Sequence, residues 1–464
     1  MSRTWREACG IFGIYAPGED VARITFFGLY ALQHRGQESA GIATGDGSTV
    51  HLHTSMGLVA QGFGEEDLAR LPGALAIGHT RYSTTGSSRL VNAQPMVIPS
   101  PQGPIAVAHN GNLVNTRALR SVVEEAGRVV LSSTDSELIG HLVAIAPGTS
   151  WMERILATAP KLQGAFCLVL ATPDRLYAVR DPWGIRPLCI GVLGDGWVVA
   201  SESCALDTVG AKFVREVEPG EVLEFGPHGM RSERLPAERR RALCTFEFIY
   251  FARPDSIIND CLLYSVRERM GRILAREHPV DADLVMPIPD AATPAAVGYA
   301  RESGLPFREG LIKNRYIGRT FIQPDQRLRE AGVQLKFNPL PAVLEGKRVV
   351  VVDDSIVRGT TTPRVVALLR KAGAREVHMR ICAPPVRYPC FLGIDMATQD
   401  ELIAANMSVP DICRHIGADS LGYLSLDGLM EAIGLPRETF CNACFHGQYP
   451  MPVDIRVEKL MLEA

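Results

Sequence analysis

The stretch Val349-Val-Val-Val-Asp-Asp-Ser-Ile-Val-Arg-Gly-Thr-Thr361 decides how the second half of this chain is built. Four consecutive valines, following Arg348, form an uninterrupted β-branched run with no polar face, so the strand they predict is covered on both sides. Asp283-Leu-Val-Met-Pro-Ile288 is a second run of this kind, and each is followed by a loop and a helical segment. Strands apolar on both faces belong in parallel sheets flanked by helices. In such sheets ligands gather at the C-terminal strand edge, where Asp353 and Asp354 stand. Ser355 to Thr361 then reads as a turn whose N–H groups and hydroxyls can wrap a phosphate at a helix start.

The first half has a different rhythm. Short apolar runs broken by glycine recur at Cys9-Gly-Ile-Phe-Gly-Ile-Tyr15, Ala74-Leu-Ala-Ile-Gly78, Ile105-Ala-Val-Ala108, Phe166-Cys-Leu-Val-Leu170 and Trp197-Val-Val-Ala200. They predict buried strands, with helices at 135–144 and 151–157, and together stacked sheets with helices. The charged segment 236–241 marks the change of rhythm and a domain boundary, and no internal repeat is visible.

A chain of 464 residues is long for one hydrophobic core and sufficient for two. A formal charge of -3 gives no reason to expect a nucleic-acid or anionic-membrane partner, and no apolar run reaches the roughly 18 residues of a membrane span. The first eight residues make a poor secretory leader, so a cytoplasmic location is expected. Eleven cysteines, an odd number, fit a reducing compartment in which some serve a metal or catalysis.

Five segments of the first half are similar, in order, to the glutaminase domain of the N-terminal-nucleophile (class II) glutamine amidotransferases. They are Cys9-Gly-Ile-Phe-Gly13, Leu32-Gln-His-Arg-Gly-Gln-Glu-Ser-Ala-Gly41, Gly78-His-Thr-Arg-Tyr-Ser83, Ala108-His-Asn-Gly-Asn112 and Ser133-Thr-Asp-Ser-Glu137. The resemblance implies that residues 1–8 are a propeptide and that Cys9 becomes the first residue. A thiol needs a base, and a free α-amino group titrates near 7.7–8.0, so the Cys9 amine can activate its own sulfur. The resemblance further implies that Arg81 holds the glutamine carboxylate, where a guanidinium can bind bidentately. Asp135 would take the α-ammonium, and Asn110 with the Gly111 N–H would form the oxyanion hole. The plainer alternatives are a buried strand cysteine, an ordinary ion pair at Arg81 and a turn at Asn110-Gly111. Asp181-Pro-Trp-Gly-Ile-Arg-Pro187 also matches the family and is assigned to architecture.

The valine-rich stretch resembles the phosphoribosyl pyrophosphate motif of the type I phosphoribosyltransferases. The resemblance implies that Asp353 and Asp354 face the ribose hydroxyls and a Mg2+ shell, and that Ser355, Arg358, Gly359, Thr360 and Thr361 wrap the 5′-phosphate. Residues 313–338 resemble the family's mobile loop, from which Lys313 and Lys336, with Arg315, Arg319, Arg327 and Arg329, could engage pyrophosphate. One departure stands out: after Pro287-Ile-Pro-Asp290 the family has a hydroxyl residue reaching magnesium, and here Ala291 takes that position, with Thr293 the nearest hydroxyl. Magnesium usually keeps several waters, so one lost ligand need not abolish binding.

Cys441-Asn-Ala-Cys444 is a close pair, which could serve zinc, redox chemistry or nothing, while Cys244 and Cys390 stand alone. All four match the ligands of the iron–sulfur branch of the amidophosphoribosyltransferases, which implies a structural [4Fe–4S] cluster. Four-thiolate zinc and a metal-free arrangement are the alternatives. Resemblance to that family covers Cys9 to about Pro450. It implies an αββα sandwich glutaminase over 9–240 and a type I phosphoribosyltransferase α/β domain with a parallel sheet over 241–464. It also implies synthesis of 5-phosphoribosylamine from phosphoribosyl pyrophosphate, glutamine and water, with purine nucleotides as inhibitors and a homotetramer. The glutaminase half alone would also suit glucosamine-phosphate or asparagine synthesis, but nothing resembles the sugar-isomerase or ATP-pyrophosphatase domains those enzymes add. A second class of reading is a catalytically idle regulatory or scaffolding protein, supported by Ala291 and by Asp260 where the family often has Gly.

Overall fold

A computed structural model describes residues 9–82, 87–235, 241–314, 337–394 and 398–453. Two antiparallel sheets fill the first half. One has seven strands, in the order Lys212–Glu216, Cys189–Leu193, Gly196–Ala200, Gly10–Tyr15, Leu75–Arg81, Ser39–Gly45 and Val50–Met56; the other has six, Gly229–Arg234, Glu221–Gly226, Leu176–Arg180, Gly164–Ala171, Ile105–Leu113 and Met96–Ile98. Side-chain alternation explains the stacking. Ile11 and Tyr15 point between the sheets, where they join Leu75, Ile77, Ala106, Ala108 and Val169. Phe12 and Ile14 point outward, beneath the helices Val21–Ala31 and Ser203–Val209. The outer face of the second sheet packs Val107, Phe166 and Leu168 against Leu138 and Leu142 of the helix Asp135–Ile145.

The helix Asp135–Ile145 starts where the sequence specifies. Thr134 accepts from the Glu137 N–H, and Asp135 and Glu137 put negative charge on the first turn. Trp151–Thr158 opens on a reciprocal capping box between Ser150 and Glu153.

The second half holds a four-stranded parallel sheet ordered Leu284–Pro287, Arg348–Asp353, Glu376–Ile381 and Ser420–Tyr423. The valine run is buried on both faces: Val349 and Val351 enter one core with Val365 and Leu369, while Val350 and Val352 enter another. That second core crosses between the halves, because it also contains Ala165 and Ile185 together with Leu243, Phe246, Leu392 and Cys444. The charged segment expected at the boundary lies mostly outside the described residues, at 236–240.

Candidate functional site

Pairing along the central strands places the thiol. Gly10 lies opposite Thr80, so Cys9, one residue earlier, reaches the end of Leu75–Arg81. A Cβ at Gly10 would sit 2.7 Å from Thr80 Oγ1 and 3.0 Å from Leu32 Cβ, which explains a glycine beside the cysteine. The Cys9 Sγ donates to the Tyr82 carbonyl at 3.2 Å and lies 3.3 Å from the Tyr82 N–H, which donates to it. Arg81 is buried; its guanidinium bonds Glu38 and donates to the Ser87 carbonyl at 3.1 Å. Asp135, in the first turn of its helix, accepts from the Leu113 N–H at 3.0 Å and faces His109 Nδ1 at 3.5 Å. Burial pushes its carboxyl up, but His109 and the Leu113 N–H outweigh that and hold it below its ordinary range.

Asn110 and Gly111 lie inside the strand Ile105–Leu113, not in a turn. Its His109 N–H goes to Gln94 Oε1 at 2.8 Å and its Leu113 N–H to Asp135, both away from the neighbouring strand Gly164–Ala171. Backbone alternation aims the intervening Gly111 N–H at the same edge. Only glycine fits there: φ is +154°, and a Cβ would stand 1.9 Å from the Ala165 carbonyl oxygen. Asn110 is fully buried, and among the described residues its carboxamide oxygen has no partner. Burial pushes the Cys9 thiol up to about 12, against the attraction of Arg81. The thiol is thus poor as its own source of thiolate at neutral pH, and needs an adjacent base. Residues 1–8 and Ser83 lie outside the described residues.

The second group sits at the C-terminal edge of the parallel sheet. Asp353 ends its strand, and the next strand exits past it through Cys382 and Ala383 N–H bonds to the Asp353 and Asp354 carbonyls, each 2.9 Å. The Asp354 N–H donates to Asp353 Oδ1 at 2.9 Å, and the Ser355 hydroxyl bonds the Asp354 carboxylate. Arg358 is tied to Glu401 by bonds of 2.7 and 3.0 Å. Gly359 has φ +65°, and a Cβ there would meet Ile403 Cδ1 at 2.4 Å. Thr360 and Thr361 are exposed, and Thr362–Lys371 follows as a helix with Pro363 in its first turn and no capping bond from the Thr361 side chain. The loop thus presents N–H groups and hydroxyls at a helix start, as anion binding requires. Across it, Lys313 pairs with Asp290. Lys336 and Arg315, Arg319, Arg327 and Arg329 lie outside the described residues.

Two half-buried carboxylates, Asp353 and Asp354, suit a hard cation with oxygen ligands. Ala291 lies between Asp290 and Ala292, the residue capping the helix Thr293–Ser303, and offers no side-chain oxygen. For the cysteines, the two-residue strands Leu243–Cys244 and Phe440–Cys441 pair in parallel, with Cys244 opposite Cys441. The Cys444 carbonyl accepts from the Arg387 and Tyr388 N–H groups, bringing the segment before Cys390 alongside. Burial pushes the Cys244 thiol up to about 12, with Glu247, Cys441 and Cys390 adding to the rise, and pushes Cys444 upward too, where Cys244, Cys441 and Cys390 add to it. Four thiols from three distant segments are therefore brought into one region, and four thiolates are the donor type that an iron–sulfur cluster takes. Among the described residues, no three His, Cys, Asp or Glu side chains converge on a single metal ion.

Sequence reasoning passed over a buried charge chain joining these groups. The fully buried Arg35 donates to the Cys9 carbonyl at 3.1 Å, to Glu202 at 2.6 Å and to Glu247 at 2.8 and 3.0 Å. Arg186 donates to the same Glu247 at 3.1 Å and to the Leu392 carbonyl at 3.0 Å. Arg35 and Glu38 lie within the quoted Leu32–Gly41 segment and Arg186 within Asp181–Pro187, so the signal was present but had no partner visible in one dimension.

Fold and site together define a glutamine amidotransferase coupled to a phosphoribosyltransferase. A glutamine amidotransferase domain model matches residues 79–208, and a phosphoribosyl transferase domain model residues 266–383. The amidophosphoribosyltransferase of Synechocystis sp. is 56% identical, covering 98% of this chain and 94% of its own. That of Methanocaldococcus jannaschii is 50% identical over 98% and 99%. The solved glutamine phosphoribosylpyrophosphate amidotransferase of B. subtilis, complexed with ADP and GMP, superposes with TM-score 0.91 at 46% identity, covering 96% of this chain and 98% of that one. This chain belongs to the amidophosphoribosyltransferase family, and it is an enzyme of the pentosyltransferase class. No helix among the described residues is long and apolar enough to cross a membrane.

Proposed function

We propose that the chain uses glutamine as its ammonia source to convert phosphoribosyl pyrophosphate to 5-phosphoribosylamine, releasing glutamate and pyrophosphate, the first step of purine biosynthesis. What supports this reading is one chain holding a buried thiol whose neighbouring strand is linked through Ser201 to Asn110, and a parallel strand that ends in two acids followed by a glycine turn and a helix start. In the first site, Cys9 attacks the glutamine amide carbon while its freed α-amine takes the thiol proton and later passes it to departing ammonia. Arg81 and Asp135 hold the amino-acid end, and Asn110 with the Gly111 N–H stabilises the oxyanion of both the attack and the thioester hydrolysis. In the second site, ammonia displaces pyrophosphate from the anomeric carbon. Asp353 and Asp354 orient the ribose, Ser355 to Thr361 hold the 5′-phosphate, and Lys313 and Lys336 meet pyrophosphate. Magnesium, held through Asp353, Asp354 and waters, would neutralise the leaving group, with Ala291 contributing nothing.

A [4Fe–4S] cluster on Cys244, Cys390, Cys441 and Cys444 would supply a structural clip and no electrons to the reaction. The B. subtilis structure carries ADP and GMP, which supports purine nucleotides as inhibitors here. A homotetramer and a cytoplasmic location complete the reading, as do a propeptide of residues 1–8 and domains over 9–240 and 241–464. Nothing in the comparisons favours the idle alternative. The test is Cys9→Ala: glutamine-dependent pyrophosphate release should vanish while ammonia-dependent synthesis persists. Equal loss of both in folded protein would refute the division of labour.

A further inference from the structure

The strand that carries Asn110 and Gly111 is only partly built into its sheet. On one edge it pairs with Gly164–Ala171 from Ala106 to Leu113. On the other edge Met96–Ile98 pairs only with Ile105, Ala106 and Val107. Beyond Val107, among the described residues, that edge has no strand beside it, and this is where the oxyanion donors lie. An oxyanion hole works only when its donors are fixed before the charge forms, and here the Gln94 and Asp135 side chains hold the His109 and Leu113 N–H groups on either side of Gly111 in place of a strand.

A loop of the second half, Cys390 to Ile394, meets it through Phe391 and Gly393, while Leu392 between them bonds Arg186. The Phe391 carbonyl accepts from the buried Asn112 Nδ2 at 2.9 Å. The Leu392 carbonyl accepts from Arg186 Nη2 at 3.0 Å. Gly393 has φ +101°, and a Cβ there would lie 3.1 Å from the Gly111 carbonyl carbon, 3.2 Å from its Cα and 2.9 Å from Arg186 Nη2. Gly111 is therefore in close backbone contact with both the Ala165 carbonyl, which a Cβ on Gly111 would overlap, and Gly393, where an added methyl group would press on its backbone. The loop is braced from behind. The Tyr449 hydroxyl donates to the Pro389 carbonyl at 2.7 Å, its ring packs on Phe391, and the Leu392 N–H donates to Cys390 Sγ at 3.4 Å.

We propose that the Cys390–Ile394 loop is a positioning element of the oxyanion hole, acting through Asn112 and Gly393 on the backbone of Gly111. It rests on the function proposed above, and gives the second half a part in the glutaminase reaction although it supplies no group that touches glutamine. It makes the docked state of the two halves a condition for full hydrolysis.

The test uses the full-length, processed protein carrying Asn112→Ala, Asn112→Asp (similar in size, without the donor) or Gly393→Ala. A loosened oxyanion donor weakens the transition state and spares the ground state, so kcat for glutamine hydrolysis should fall about 10-fold or more while KM moves less than about 3-fold. Affinity for glutamate γ-semialdehyde should fall with kcat, because Cys9 adds to that aldehyde, its proton passing to the α-amine, and leaves a tetrahedral oxyanion in the hole. Alkylation of Cys9 by iodoacetamide, which forms no oxyanion, should keep its wild-type rate, and ammonia-dependent synthesis should stay unchanged. Loss of both activities together, a rise in KM alone, or unchanged hydrolysis would each overturn the inference. If Gly393→Ala does not fold, the Asn112 variants decide the matter. A wild-type protein that hydrolyses no glutamine would overturn the proposed function itself, and this inference with it.

Discussion

The two sites are built on opposite plans. Around Cys9 the chain supplies almost everything from inside: Cys9, Arg81, Asn110 and Asp135 are all buried, and the sulfur sits between the N–H and carbonyl of one residue. Around Asp353 the chain supplies an edge. The two acids are half-buried, Thr360 and Thr361 are exposed, and the helix that follows starts without a side-chain cap. Burial makes the first site selective but pushes its thiol away from ionisation. Openness lets the second accept a large polyanion but leaves its charges to be balanced by that ligand. A buried nucleophile waits for a base, and an open phosphate loop waits for its substrate.

The sharpest way to break this contrast is to withhold the base. A chain that keeps residues 1–8 has an amide at Cys9, and its glutamine-dependent activity should fall by more than about a thousand-fold, with ammonia-dependent synthesis intact. Intact mass of active protein should begin at Cys9, and full activity from the unprocessed chain would refute the α-amine as base. Next in size is Asp353→Asn, which should lower ammonia-dependent synthesis by roughly 100-fold while leaving glutamine hydrolysis in place, read by pyrophosphate and glutamate release in parallel assays.

Cys441→Ser sharpens the comparison from outside both sites. Ligation of Cys244, Cys390, Cys441 and Cys444 would tie three distant segments together and restrict the unfolded chain. The variant should be poor in iron and unfold at a midpoint lower by roughly 4 °C or more, by metal analysis and thermal denaturation. An iron-free variant with wild-type stability would remove the structural role, and stoichiometric zinc in wild-type protein would assign the site to zinc. The smallest effect concerns acid. Burial pushes His79 from an ordinary 6.5 down to about 3, and its Nε2 meets the His109 carbonyl at 3.1 Å. Between those values the unfolded chain binds a proton that the fold rejects, so stability is full above pH 6.5 and drains as pH falls toward 3. His79→Asn should flatten the slope of unfolding free energy against pH in that window, measured by denaturant titration at several pH values.

Much of this was legible in one dimension, because local patterns carried it. The valine run announced a strand buried on both faces, and the parallel sheet bears that out through Val349 to Val352. The helices expected at 135–144 and 151–157 occur as Asp135–Ile145 and Trp151–Thr158, since their caps are local. A turn at Asn110-Gly111 stood as the lesser alternative in the sequence, because the steric demand of the Ala165 carbonyl on Gly111 comes from another strand. Glu38, Arg35, Glu247 and Arg186 were missed for the same reason. A charged residue looks like surface until its counter-ion, 212 positions away in the case of Arg35 and Glu247, is seen beside it.

That chain of buried charges also bears on how such a protein can be taken apart. The two halves look like modules that could be cloned separately, yet cutting between residues 235 and 241 would put Arg35 and Arg186 on one fragment and Glu247 on the other. Each would then carry a face that the other half had covered, bearing a charge whose partner had left with the other fragment. Grafting the first half onto another acceptor domain would therefore call for an acidic partner in the place of Glu247, to meet Arg35 and Arg186.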